Sequence, residues 1–225
     1  MALRLFLDSA DRRDWQRWLP TGLFHGITTN PTLLRRAGVS CELGALAELA
    51  CDAVAAGCHE VHLQSWGTEP AVLVERGLAL AALAPARVMV KVPVTLEGTV
   101  AAQQLISAGV AVTFTACYEQ PQVLVAAALA AHYIAPYLGR INDQGRDGAA
   151  ELIAMHRALR GVGSSTRLLV ASVRDPLELS NLASAGLDTF TVSAAVAEAF
   201  FRSRATAAAA LQFEEDADWA ATTKA

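Results

Sequence analysis

The feature that most constrains this chain is a rhythm: eight short apolar runs, each separated from the next by a longer alanine- and leucine-rich stretch. The runs are LRLFLD (3 to 8), GITTN (26 to 30), EVHLQ (60 to 64), VMVKVP (88 to 93), VAVTFT (110 to 115), HYIAPY (132 to 137), RLLVAS (167 to 172) and TFTVS (189 to 193). Their length and β-branched content predict strands. The pieces between them, such as TLEGTVAAQQLISAG and PQVLVAAALAA, carry helix formers, and Gly57, Gly109 and Gly186 stand where a helix must stop before the next strand. Parallel strands need crossovers of this kind. Eight such units without a linker, a low-complexity tract or a break in composition predict one domain over residues 1–225, a single (β/α)8 barrel of α/β class. No G-x-G-x-x-G follows the first run, which argues against an open dinucleotide-binding sheet. From about residue 205 to 225 the stretch ending in LQFEEDADWAATTKA predicts an additional C-terminal amphipathic helix with an acidic centre.

Composition narrows the function classes. A content of 53% hydrophobic and 18% charged residues fits a well-filled core. A net charge of −4 and a pI near 5.7 leave no electrostatic case for nucleic acid or an anionic membrane as partner. The N-terminal apolar stretch is too short for a signal peptide and no run is apolar enough to span a bilayer, so a cytoplasmic protein is expected. Cys41, Cys51, Cys58 and Cys117 form no C-x-x-C pair and are expected to be reduced and mostly buried.

Barrel chemistry sits at the C-terminal ends of the strands, and those ends are polar here. They are Asp8, then Thr28, Thr29 and Asn30, then Gln64, Lys91, Thr115, Tyr137, Ser172 and Ser193. Lys91 stands out. The 18 basic residues are 16 arginines and two lysines, Lys91 and Lys224, and Lys91 lies inside a run that otherwise reads as buried strand. A buried lysine can give up its proton whereas an arginine cannot, and lowering its pKa by ~3 units yields a nucleophilic amine at neutral pH. The alternatives are a lysine paired with an interior carboxylate or one snorkelling at a strand end. Asp8 could instead cap the following helix, and Arg140 could pair with Asp143. Strand alternation turns His62 inward with Gln64 and His59 outward, so the two do not build a metal-binding face, and no metal is expected.

LFLDSAD, GITTNPTLL, VKVPVTLEG, TFTACY, YIAPYLGRINDQG and LLVASVRDP follow one another in an order that resembles the small transaldolase family, most of all its fructose-6-phosphate aldolase branch. That resemblance implies a cofactor-free class I aldolase in which Lys91 forms a Schiff base with the C2 carbonyl of a ketose. It further implies that Asp8, Thr28 and Asn30 hold the donor hydroxyls. Gln64, Thr115 and Tyr137 would surround a catalytic water, with Tyr137 moving the proton. Arg140 and Ser172 would take the sugar phosphate, with Arg174 assisting. Glutamine at 64 with tyrosine at 137 resembles the aldolase branch, whereas many transaldolases place glutamate and phenylalanine there. Trp66 and Phe114 depart from the family pattern and could reshape the pocket. A homo-oligomer, pentamer or decamer, joined through the C-terminal helix is the assembly the resemblance implies.

Overall fold

The computed structural model describes residues 3–222, with side chains described to residue 219; Lys224, expected in a solvated tail, lies outside the described residues. All eight predicted strands form: β1 (Arg4–Asp8), β2 (Gly26–Thr28), β3 (Glu60–Gln64), β4 (Val88–Pro93), β5 (Val112–Cys117), β6 (Tyr133–Pro136), β7 (Arg167–Leu168) and β8 (Thr189–Val192). They pair in parallel in the order β7-β6-β5-β4-β3-β2-β1-β8. The two ends of that order meet, because Val170 N donates to Thr189 O at 2.8 Å and Thr191 N donates to Val170 O at 2.8 Å. The sheet is therefore a nearly closed barrel, and the helices alternate with its strands as in a TIM barrel.

The helices are α1 (Arg12–Trp18), α2 (Pro31–Arg36), α3 (Leu43–Ala55), α4 (Pro70–Leu83), α5 (Leu96–Ser107), α6 (Gln122–Ala128), α7 (Leu138–Asp143), α8 (Gly148–Gly161), α9 (Pro176–Ser184), α10 (Ala194–Ala199) and α11 (Arg204–Thr222). Local chemistry sets their starts. Asp11, Asn30, Thr95, Asp147, Asp175 and Ser193 each accept a backbone N–H of the first turn. Capping by Asp11 leaves Asp8 out of that role. Gly57, Gly109 and Gly186 follow their helices with φ of 92°, 81° and 95°, the left-handed region that glycine enters without strain.

Strand alternation divides the core. Along β4, Val88, Val90 and Val92 pack outward against the helices with Ile27, Leu49, Leu105 and Phe114, while Met89 joins Phe6, Tyr133, Ala135 and Leu169 inside the barrel. Gly26 keeps two strands close, since a Cβ there would lie 1.9 Å from Glu60 O. α11 behaves differently from the other helices. Its described side chains are exposed throughout, Leu211, Phe213 and Trp219 included. Of the cysteines, Cys58 and Cys117 are buried and Cys41 is partly so, but Cys51 is exposed because it falls on the outer side of α3. No helix among the described residues is long and apolar enough to cross a membrane.

Candidate active site

Parity along the strands brings ionisable side chains to one mouth of the barrel. Lys91 shares its face of β4 with Met89 and is only 5% exposed. Its Nζ donates to the Thr29 carbonyl at 2.7 Å. Burial lowers the amine's pKa, against the raising effect of Asp8. Burial likewise raises the Asp8 carboxyl, partly offset by Lys91 and by the Thr28 hydroxyl, which donates to Asp8 Oδ1 at 2.6 Å. Both shifts favour the uncharged form, which is what a nucleophilic amine requires. Thr28 also meets Thr191 Oγ1 at 2.6 Å, so β1, β2 and β8 are tied together beside Asp8.

A cavity of about 150 Å³ opens over these groups. Seven of the ten residues singled out in the sequence line it: Asp8, Thr28, Asn30, Lys91, Tyr137, Arg140 and Ser172. Asn30 spends its Oδ1 on capping α2, at 3.0 Å from Leu33 N, which leaves its amide nitrogen available. Arg140 lies with its guanidinium 5.1 Å from the Tyr137 ring centroid and donates to Tyr118 Oη at 3.2 Å. It does not pair with Asp143. That carboxylate instead holds Arg174 in a two-pronged bridge at 2.7 and 2.5 Å. Gly139 lets α7 come this close to the β7 end, because a Cβ there would lie 2.5 Å from Ser172 O. Ser172 itself has φ of 59°, an uncommon conformation for serine at the edge of the cavity.

Three of the ten do not line the cavity. Thr115 lies behind Tyr137, the two hydroxyls 2.7 Å apart. Gln64 is the ladder partner of Lys91 on β3 and is partly exposed. Arg174 is held away by Asp143. Trp66 and Phe114 do not line it either. Arg76 fixes Trp66, with its guanidinium 4.8 Å from the ring and a 2.5 Å hydrogen bond to the Trp66 carbonyl, and Phe114 is fully buried among outward-facing core residues. Ser193 caps α10. Sequence reasoning missed Thr32, Leu33 and Arg36, which reach the cavity from α2, and Thr191 from β8. The first three share a helix face just after TTN, and Thr191 shares the inward parity of Thr189, so the signal was present.

At the other end of the barrel His62, expected from the sequence to be a satisfied interior histidine, joins a polar network whose other members were not foreseen. Glu60 accepts from Arg4 at 2.7 Å and from Tyr133 Oη at 2.8 Å, and lies 3.2 Å from His25 Nε2 and 3.4 Å from His62 Nε2. His62 Nδ1 meets Thr113 Oγ1 at 3.1 Å. His62 is thus a satisfied interior histidine with both nitrogens engaged.

The fold and the motifs agree with comparisons to known proteins. Residues 5–225 match the family model described as Transaldolase/Fructose-6-phosphate aldolase. A protein named "Probable transaldolase" from Caulobacter sp. (strain K31) is 35% identical over 221 residues, covering 98% of each chain. One of the same name from Anaeromyxobacter dehalogenans (strain 2CP-C) is 32% identical over 225 residues, covering 99% of each. Among solved structures, a candidate copper homeostasis protein, CutC, from Streptococcus agalactiae superposes with a TM-score of 0.63 at 14% identity, covering 87% of this chain and 100% of that one. A candidate phosphonomutase from Burkholderia cenocepacia J2315 gives 0.60 at 15%, covering 94% and 93%. At that identity the two structures speak for the barrel alone. The family match over nearly the whole chain, together with relatives above 30% identity, decides the rest: this chain belongs to the transaldolase/fructose-6-phosphate aldolase family.

Proposed function

We propose that this protein is a class I aldolase that cleaves fructose 6-phosphate reversibly to dihydroxyacetone and glyceraldehyde 3-phosphate, without a cofactor. The observation that carries this reading is Lys91, a buried amine with a lowered pKa that opens onto a cavity carrying Asp8 on one side and Arg140 on the other. The Lys91 amine attacks the C2 carbonyl, water leaves, and an iminium forms. The C3–C4 bond then breaks with its electron pair drawn into the iminium, while the C4 hydroxyl loses its proton. Protonation at C3 and hydrolysis release dihydroxyacetone and restore the lysine. Asp8, Thr28 and Asn30 hold donor hydroxyls, and Arg140 with Ser172 holds the phosphate, whose oxygens match a guanidinium fork. We place the enzyme in the cytoplasm.

A second reading is a transaldolase that passes the same three-carbon unit to erythrose 4-phosphate. The names of the relatives favour it, and glutamine at position 64 with tyrosine at 137 favours the aldolase. A third, a barrel that binds sugar phosphate without turning it over, needs no lowered lysine pKa.

The test is borohydride reduction in the presence of fructose 6-phosphate, followed by mass spectrometry. The expected adduct is on Lys91, and Lys91→Arg should abolish it while leaving the fold intact. Modification of Lys224 with Lys91 untouched would sink the mechanism. Free dihydroxyacetone should appear from fructose 6-phosphate alone; its absence until erythrose 4-phosphate is added makes the transaldolase reading correct.

A further inference from the structure

Three consecutive residues, Thr28, Thr29 and Asn30, join β2 to α2, and each is fixed by a different bond. The Thr28 hydroxyl donates to Asp8 at 2.6 Å, and Asn30 Oδ1 accepts from Leu33 N at 3.0 Å at the start of α2. Thr29, between them, is fully buried, and strand parity turns its side chain away from the cavity its two neighbours line. Its N–H and its hydroxyl both donate to the His62 carbonyl on β3, at 3.0 and 2.9 Å. Its own carbonyl accepts from Lys91 Nζ at 2.7 Å.

Strand pairing requires only the N–H bond. Valine has the same shape as threonine and would fill the same space with no buried hydroxyl to satisfy, so packing accounts for the shape of Thr29 but not for its second tether to His62. The tether bears on the nucleophile. A carbonyl oxygen only accepts, so it engages one N–H of the Lys91 amine and never the lone pair, which is left free to meet the C2 carbonyl. Once that nitrogen has added to carbon it becomes cationic, and the iminium keeps one N–H. A carbonyl already in place accepts this N–H in a charge-assisted bond, about twice as strong as the neutral one, and so favours the cation over the amine that formed it.

Building on the Schiff-base step of the aldolase reading, a step the transaldolase reading shares, we infer that Thr29 is a positioning residue for Lys91. Its main-chain carbonyl, held by the side-chain tether to His62, orients the amine for attack and then binds the iminium N–H. The step balances. The amine adds to C2, and the C2 oxygen leaves as water with one amine proton and one proton supplied through the solvent. The other amine proton stays on nitrogen, hydrogen-bonded to Thr29 O.

The full chain is mixed with fructose 6-phosphate and borohydride, and the Lys91 adduct is followed by mass spectrometry against time and pH, alongside kcat and KM. Thr29→Val removes the tether and keeps the shape. Replacing Asn30 by its α-hydroxy acid converts the Thr29–Asn30 amide to an ester, whose carbonyl is a weaker acceptor, and retains every side chain. Both changes should lower the adduct rate and kcat about tenfold, the scale of one weakened charge-assisted bond, and leave KM within about threefold. Thr29→Ser should recover most of the loss. An acceptor on Nζ favours its protonated form, so the ester should also move the acid limb of adduct formation to lower pH, which a purely structural role would not do. An ester enzyme with the wild-type adduct rate and acid limb overturns the inference, even where Thr29→Val is slow or fails to fold. Wild-type kinetics in Thr29→Val removes the tether. The aldolase reading fails by different results: a wild type with no adduct on Lys91 removes both, whereas an adduct without release of dihydroxyacetone removes the aldolase and leaves the role of Thr29 standing.

Discussion

In the aldolase reading proposed above, Tyr137 is the side chain on which the choice between cleavage and transfer turns. Breaking the C3–C4 bond requires a proton to leave the C4 hydroxyl, and the phenol that lines the cavity is held at 2.7 Å by Thr115 behind it. Gln64 stands beside Lys91 in the ladder and, being neutral, cannot act as a charged base on a bound water. Tyr137→Phe is expected to lower cleavage of fructose 6-phosphate by ~10²-fold or more, the usual scale for a lost general acid or base. Gln64→Glu should raise transfer to erythrose 4-phosphate relative to cleavage. Both are read by measuring dihydroxyacetone and the transfer product in one assay. A Tyr137→Phe enzyme with undiminished cleavage would assign the proton to another group.

At the scale of the element, β3 carries the chemistry of the barrel floor. Glu60 and His62 share its inward face, and burial drives the His62 pKa down to about 4 from an ordinary 6.5, against the raising effect of its hydrogen bond to the Glu60 carboxylate. Burial of Glu60 is outweighed by hydrogen bonds from His62 and Tyr133, leaving its pKa at about 2 from an ordinary 4.5. The unfolded chain therefore binds a proton at position 62 more readily than the folded one, so stability falls as pH drops through the window from 6.5 to 4. The Glu60 contribution has the same sign and is lost from 4.5 down to 2. The His62 part amounts to on the order of 3 kcal/mol. Thermal melting between pH 7.5 and 4.5 should show this loss, and His62→Gln should flatten the curve between pH 6.5 and 5. A wild-type melting temperature that does not change across that interval would contradict the linkage.

For the whole molecule, the exposed C-terminal helix is the part the barrel does not account for. Leu211, Phe213 and Trp219 are each more than 60% exposed on α11, an unusual amount of apolar surface for one helix. Family resemblance implies that such a helix packs on a neighbouring subunit, and the expected mass in solution is that of five or ten chains. Light scattering at micromolar concentration checks it, and removal of residues 204–225 should shift the mass downward. A wild-type monomer would remove this expectation.

The period of the apolar runs was enough to determine the eight strands, their parallel order and the barrel, because each run can bury its sides only through the crossover that follows it. The strand-end residues were legible for the same reason, since parity along β4 and β6 turns Lys91 and Tyr137 inward whatever the loops do. Partners across the barrel were not. Arg174 is expected from the sequence to assist Arg140 at the phosphate, and its guanidinium is bridged to Asp143 at the C-terminal end of α7. Arg4, Glu60 and Tyr133 come from β1, β3 and β6, separated by up to 129 residues, and meet only after the barrel closes. A periodic pattern determines which side of its own element each residue occupies; which residues then meet is decided by closure of the ring, a global condition that no local spacing encodes.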